Sequence, residues 1–317
     1  MPACAGMTQR ENSTISMKTM TPQKISLPFL HRRAEEEAAR LPSLMTAARN
    51  AAQTTRSGEH SKRRAGTGEK FWQFRDYQPG DRPQDIDWRQ SGKGDRVFIR
   101  QKEWQTAQTA LFWCGGGPGM TYRSKPNLQT KREAALTLSL AMGLLLTHGG
   151  EQVGLLAGGM NPGRSDLALE TLGQNLLHDA GTTLPLAGRD IPRHANLFLT
   201  GDFLDPPEKI EAAFGALAAR AESALVIQTL DPAELDLPFA GRVIFEDPAG
   251  TERHHIAQVA SVRDAYRKKM EEHIEAIGHI CLRLQWNWLP YNTALPLRDT
   301  LADAWTMIAP HRTGGAA

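Results

Sequence analysis

The chain has 317 residues, 40% of them hydrophobic and 23% charged, ordinary for a globular protein and long enough for one large domain or two modest ones. Its 37 basic and 35 acidic residues leave a net charge of +2, so no global field draws it to nucleic acid or to an anionic membrane. Three cysteines, Cys4, Cys114 and Cys281, form no CxxC pair; this excludes a disulfide framework and a zinc motif and suits a reducing, cytoplasmic setting.

In chain order, the polar stretch 1–28 has methionines at Met1, Met7, Met17 and Met20 and no apolar periodicity. It reads as a disordered leader, with initiation at Met17 or Met20 as one reading of it, and it lacks the charged-then-apolar pattern of a signal peptide. Residues 29–58 carry two helical stretches, His31–Arg40 and Ser43–Thr55, divided at Pro42, which breaks the hydrogen-bond ladder. Residues 59–105 change character: aromatic residues fall among charges, turns punctuate the run, and Trp72–Tyr77 and Arg96–Lys102 read as strands of a small β-rich lobe.

From 106 to 310 strand and helix alternate. Strand candidates are Thr109–Cys114, Gln152–Ala157, Ala195–Thr200, Ser223–Gln228, Arg242–Phe245 and Cys281–Gln285; helix candidates are Leu128–Thr147, Ser165–Asp179, Pro206–Ala219, His255–Gly278 and Ala294–Ile308. Such alternation argues for an α/β architecture, a mostly parallel, doubly wound sheet with helices on both faces. The most apolar stretch, Ala134–Thr147, makes a helix of about 21 Å against a bilayer core of about 30 Å, so it is a buried helix and not a span.

Ligands in such sheets bind at the carboxyl ends of the strands. After the first core strand the chain reads Cys114-Gly115-Gly116-Gly117-Pro118-Gly119-Met120, a loop with no side chain suited to catalysis. Glycine-rich loops ahead of helices can cradle phosphate. The Gly-x-x-x-x-Gly-Lys-Ser/Thr spacing is absent, however, and the helix begins well downstream, near Asn127. The glycines therefore read as a conformationally permissive loop.

The run Gly66-Thr67-Gly68, the aromatic strand, Arg75-Asp76-Tyr77-Gln78-Pro79-Gly80-Asp81 and then Ile86-Asp87-Trp88-Arg89 resembles the signature of the DUF58 family. Leu230-Asp231-Pro232-Ala233-Glu234 and Leu237-Pro238-Phe239-Ala240-Gly241 are similar to members of the same family. The resemblance implies a von Willebrand factor A-like core and association with a MoxR-type AAA+ ATPase. It also implies a metal-ion-dependent adhesion site, whose Asp-x-Ser-x-Ser element and later aspartate supply the hard oxygens that Mg²⁺ needs. Aligned on Pro118 and Met120, this chain has Gly115 at the aspartate and Gly117 and Gly119 at the serines; a shift by one residue puts Cys114 at the aspartate, and a thiol does not replace it. The later aspartate survives as Asp202. The site is therefore degenerate, with no metal or cofactor expected, and Asp202 reads more simply as a cap near Pro206 or as a partner to the loop's backbone amides.

In the lobe, arginines among tryptophans could stack on single-stranded nucleic acid. Residues 59–104 hold 11 basic and 8 acidic side chains, a net of only +3, so nucleic acid is not the expected partner. Packing is the simpler expectation: Trp72, Trp88 and Trp104 fill the lobe's core, and Asp81 and Asp87 pair with Arg75 and Arg89. The alternative is that the motif residues Arg75, Tyr77, Pro79, Gly80, Asp81, Asp87, Trp88 and Arg89 form a partner surface. Ser57-Gly58-Glu59-His60 is not a nucleophile elbow. His254, His255 and His273 make no i, i+4 ligand pair and read as surface residues, and Cys281 reads as a buried residue opening a strand. The expected function is a non-enzymatic protein-binding adaptor working with the AAA+ ATPase. The alternative is a Mg²⁺-dependent module or hydrolase drawing ligands from Asp202, Asp205 and Ser165, and a copy that has lost its function is a third reading.

Overall fold

The computed structural model describes residues 15–16, 26–39, 65–66, 70–78, 81, 84, 86–92, 94, 96–103, 108–178, 182–186, 191–192, 194–246 and 253–313. In chain order the elements are β1 (Ile15–Ser16), α1 (27–39), β2 (Ala65–Gly66), β3 (Lys70–Asp76), α2 (Trp88–Ser91), β4 (Phe98–Glu103), β5 (Thr109–Cys114), α3 (Lys131–His148), β6 (Gln152–Leu155) and α4 (Asp166–His178). They continue as β7 (Ala195–Gly201), α5 (Pro207–Ala218), β8 (Ser223–Leu230), α6 (Pro232–Asp236), β9 (Val243–Glu246), β10 (Arg253–Ile256), α7 (Arg263–Arg283), β11 (Asn287–Asn292) and α8 (Leu297–Thr313). The chain divides into two compact units, 1–49 with 108–309, and 50–107 with 310–317.

The larger unit is a mixed α/β body around a five-stranded sheet of order β11-β8-β7-β5-β6, parallel throughout. Alternation along β5 assigns its side chains to two layers. Ala110, Phe112 and Cys114 join a core with α1, α3, α4 and α8, while Leu111 and Trp113 join one with α5 and α7. Helix α3 is buried on nearly every face, which is why its sequence is apolar almost without interruption. Helix α1 contributes the stripe Leu30, Ala34 and Ala38, spaced four residues apart. Because β5 lies between β6 and β7, the winding reverses there, and the carboxyl ends of β5 and β7 form the switch point where such sheets hold ligands.

Four expectations are corrected. Cys281 lies in α7, not on a strand: the helix runs to Arg283, with Ile277, Ile280 and Cys281 on its buried face. It ends where Gln285 turns left-handed (φ 57°) and the Trp286 amide donates to the Cys281 carbonyl at 2.8 Å, the closure that stops a helix. The apparent alternation of Leu282, Leu284 and Trp286 is a helix end followed by a turn, and the last strand starts at Asn287. His254 and His255 lie on β10, antiparallel to β9, and the helix expected from His255 begins at Arg263. The strand near Arg242 is β9, which pairs with β1 and β10 in a separate small sheet. Within the stretch read as a leader, Ile15–Ser16 pair with Val243–Ile244 and a helix starts at residue 27. The helix expected at Ser43–Thr55 lies outside the described residues. No helix among the described residues is long and apolar enough to cross a membrane.

The smaller unit is built on β2-β4-β3, antiparallel, with a register shift between Phe71 and Gln73. Helix α2 is capped by Asp87, whose Oδ1 accepts from the Gln90 amide at 2.9 Å. It is tied to β4 by the Asp87 amide on the Phe98 carbonyl (2.9 Å) and the Phe98 amide on Ser91 Oγ (2.8 Å).

Cys114 and Cys281 are both fully buried, and burial pushes the Cys281 thiol up to about 12. Both should resist a disulfide exchange reagent in the native protein and react only with unfolding, checked by thiol titration along a denaturant series.

Candidate functional site

The loop after β5 packs against its surroundings backbone to backbone. The Gly115 amide donates to the Thr200 carbonyl at 2.7 Å, and the Gly116 amide to the Thr182 carbonyl at 2.9 Å. A Cβ on Gly117 would lie 2.6 Å from Thr183 Cγ2, closer than carbon atoms pack. Gly119 sits in a 3₁₀ turn, Pro118–Thr121, and its carbonyl accepts from the Tyr122 amide. Trp113 Nε1 donates to Thr182 Oγ1 at 3.4 Å, so the segment at 182–183 packs against Trp113, Gly116 and Gly117. Buried Arg132 fastens the same loop from inside: Nη1 donates to the Gly115 carbonyl at 2.9 Å, and Nη2 to the carbonyls of Leu176 and Leu177 at the end of α4.

Asp202 stands on the turn after β7, and that turn is rigidly specified. Phe203 is fully buried with a φ of 47°, a conformation that bulky residues adopt only when their surroundings impose it. Its ring packs on Trp113 and Phe214, with centroids 5.8 and 5.4 Å away. Its carbonyl accepts from His273 Nε2 at 2.7 Å, and the Asp202 carbonyl accepts from Gln228 Nε2 at 3.2 Å. His273 is thus a half-buried tie between α7 and the turn, where sequence alone reads a surface residue.

The Asp202 carboxylate meets a cation from inside the protein. Lys131, the first residue of α3 and 0% exposed, places Nζ 3.0 Å from Asp202 Oδ2 and 2.6 Å from Glu234 Oε1. Two capping boxes aim these groups. Thr130 and Glu133 cap α3 and fix its first residue at the crest, and Asp231 and Glu234 cap α6. Glu234 Oε2 accepts from the Asp231 amide at 2.9 Å. Asp231 is fully buried; its oxygens accept from the amides of Ala233 (2.8 Å) and Ser124 (2.9 Å). Asp202 is therefore an ion-pair partner and does not cap α5, whose cap position is Pro206.

One ammonium facing two carboxylates leaves a buried excess of one negative charge. Burial lifts the Glu234 carboxyl from 4.5 to about 7, with the Lys131 ammonium opposing the shift. Burial also disfavours the Lys131 charge, but the two carboxylates outweigh it and the ammonium holds its proton more firmly than a free lysine does.

The alternative ligand set is not brought together. Ser165 Oγ accepts from the Ala168 amide at the start of α4, and Gly163 bridges Val153 near the amino end of β6, so Ser165 lies away from the Asp202 crest. Among the described residues, no group of three or more His, Cys, Asp or Glu side chains is placed to hold a metal ion.

In the smaller unit the packing expectation fails for Trp88, which is 69% exposed. The Asp87 carboxylate caps α2 instead of serving Arg89, which is exposed on the same helix. Tyr77 and Val97 are joined by a 2.8 Å backbone hydrogen bond and are exposed at 41% and 40%. Asp81 Oδ2 accepts from the Gln78 amide at 2.7 Å. Arg75 lies in β3 opposite Ile99, whereas Pro79, Gly80 and Trp104 lie outside the described residues.

The sequence reading found Asp202 and missed Lys131 and Glu234. Their signal was the pair of boxes, Thr130-x-x-Glu133 and Asp231-x-x-Glu234, which mark helix starts.

A parallel α/β body with a glycine crest and a separate antiparallel lobe is thus the class of protein these elements define. The family model described as "Protein of unknown function DUF58" matches residues 73–276, more than half of the chain, and the chain belongs to that family. It is similar to uncharacterized proteins of Mycobacterium bovis and Mycobacterium tuberculosis, each 24% identical over 280 residues that cover 82% of this chain and 85% of the relative. No solved structure matches it.

Two predictions follow from the crest. Gly117→Ala should destabilise by about 1–3 kcal/mol through overpacking, and Thr183→Ala, which removes the Cγ2 in the way, should recover most of that loss in a double-mutant cycle. Because the Glu234 carboxyl is raised, its contribution to stability is complete below about pH 4.5 and is lost as pH rises through about 7. The melting temperature of Glu234→Gln should accordingly vary less than that of wild type between pH 5 and pH 8, as read by calorimetry.

Proposed function

We propose that this protein is a non-enzymatic, cytoplasmic adaptor with a von Willebrand factor A-like core and a degenerate metal site, which binds a MoxR-type AAA+ ATPase through its β-rich lobe. The observation that carries the reading is Trp88, 69% exposed on a capped helix inside the family-matched segment. Leaving an indole in water forgoes a large burial energy, and exposed aromatic residues beside arginine are what protein interfaces use as anchors. Asp87 holds α2 in place, Arg89 is exposed beside Trp88 on that helix, and the exposed pair Tyr77 and Val97 lies just beyond the paired ends of β3 and β4, next to the Phe98 that ties α2 to the sheet. This is a motif kept for display, since its carboxylate supports the helix and its tryptophan does not support the core. The near-balanced charge of the lobe favours a protein over nucleic acid as partner.

The crest supports a binding role of the same kind. Its loop contributes backbone and packing, Gly116 and Gly117 lie against 182–183, and its carboxylates are committed to Lys131. No nucleophile, general base or cofactor is required by this reading.

The test is affinity capture with the tagged full-length chain, followed by titration with the purified ATPase. Trp88→Ala should weaken binding by at least tenfold, the range for an interface anchor, while the melting temperature stays near that of wild type. Binding indifferent to Trp88→Ala, or no binding by the wild-type chain, would contradict the reading.

A further inference from the structure

We infer that the switch point of the sheet is a cation site whose occupant is carried by the chain itself, the Lys131 ammonium. Three observations support this, and none depends on what the lobe binds. First, Lys131 is wholly buried, so its charge is answered by protein groups and not by water. Second, those groups come from two distant segments, Asp202 after β7 and Glu234 in α6, and both reach Nζ within hydrogen-bond distance. A compact ammonium with three donors on a flexible stem suits two oxygens arriving separately, where the planar fork of arginine would not.

Third, the surroundings are built for a monovalent, tethered charge. A hard divalent ion needs about six oxygens. The loop supplies only glycines at 115, 117 and 119, one Glu234 oxygen is held by Lys131, and the other by the Asp231 amide. The ammonium also clasps α3, the β7 turn and α6 together at the end of the sheet where the winding reverses. The crest is therefore set in its bound-cation arrangement permanently, and it neither needs Mg²⁺ nor responds to it.

The experiment uses the full-length chain. Wild type titrated calorimetrically with MnCl₂ and MgCl₂ should give no saturable heat at millimolar cation, and chelator should leave its melting temperature unchanged. Lys131→Ala leaves two buried carboxylates facing each other and should lower the melting temperature by on the order of 10 °C. Propylammonium should restore part of that loss where Mn²⁺ does not, with no effect on wild type, and Asp202→Ala added to Lys131→Ala should abolish the restoration. A lowered melting temperature that propylammonium does not restore, or that Mn²⁺ restores instead, would contradict the inference. If Lys131→Ala does not fold, the wild-type titration decides alone: saturable Mn²⁺ binding tighter than about millimolar and lost in Asp202→Ala would overturn it, and its absence would support it.

Discussion

A buried ammonium between two carboxylates is the constraint from which the rest of the crest follows. Lys131 is fully buried where Asp202 and Glu234 both reach it, and removing the lysine would leave two carboxylates facing each other without a cation. Each partner is held in turn by devices that make little sense in isolation. The left-handed Phe203 is pinned by aromatic packing and by His273. The Asp231–Glu234 box starts a helix of only five residues. Together they hold carboxylate oxygens where one lysine can meet both.

The loop after β5 is subordinate to this arrangement. Gly115 and Gly117 are required by close approach, to the β7 backbone in one case and to Thr183 in the other. Arg132, next to Lys131 in sequence, points its fork at three carbonyls. The first two residues of α3 thus divide the work: Lys131 neutralises carboxylates and Arg132 gathers backbone. Both tasks are structural, and both are carried out inside the protein. In the other unit, Asp87 caps α2 and Trp88 on the same helix stands in water.

The fold was legible where burial is periodic. β5 was found at Thr109–Cys114 residue for residue, and β7, β8, α4 and α5 to within a few residues, because their apolar spacing reflects two covered faces. Legibility failed where a turn imitates a period. Cys281–Gln285 alternates like a strand, but the alternation spans a helix end and the left-handed Gln285. In the site, Asp202 could be placed from its strand; the capping boxes mark the helix starts that carry Lys131 and Glu234 but not their pairing, because nothing local distinguishes a buried lysine from a solvated one. Their partners lie 71 and 103 residues away from Lys131. Trp88 was misassigned to the core for the converse reason: a tryptophan is usually apolar filling, and only the cap at Asp87 reveals that its helix faces outward.

The most direct measurement is ¹⁵N NMR of the lysine side-chain ammonium groups across a pH series. One resonance, absent in Lys131→Met, should be protected from solvent exchange and remain protonated above pH 10.5, the ordinary lysine value. A Lys131 signal that exchanges freely, or that titrates at or below that pH, would contradict a buried ammonium at the crest.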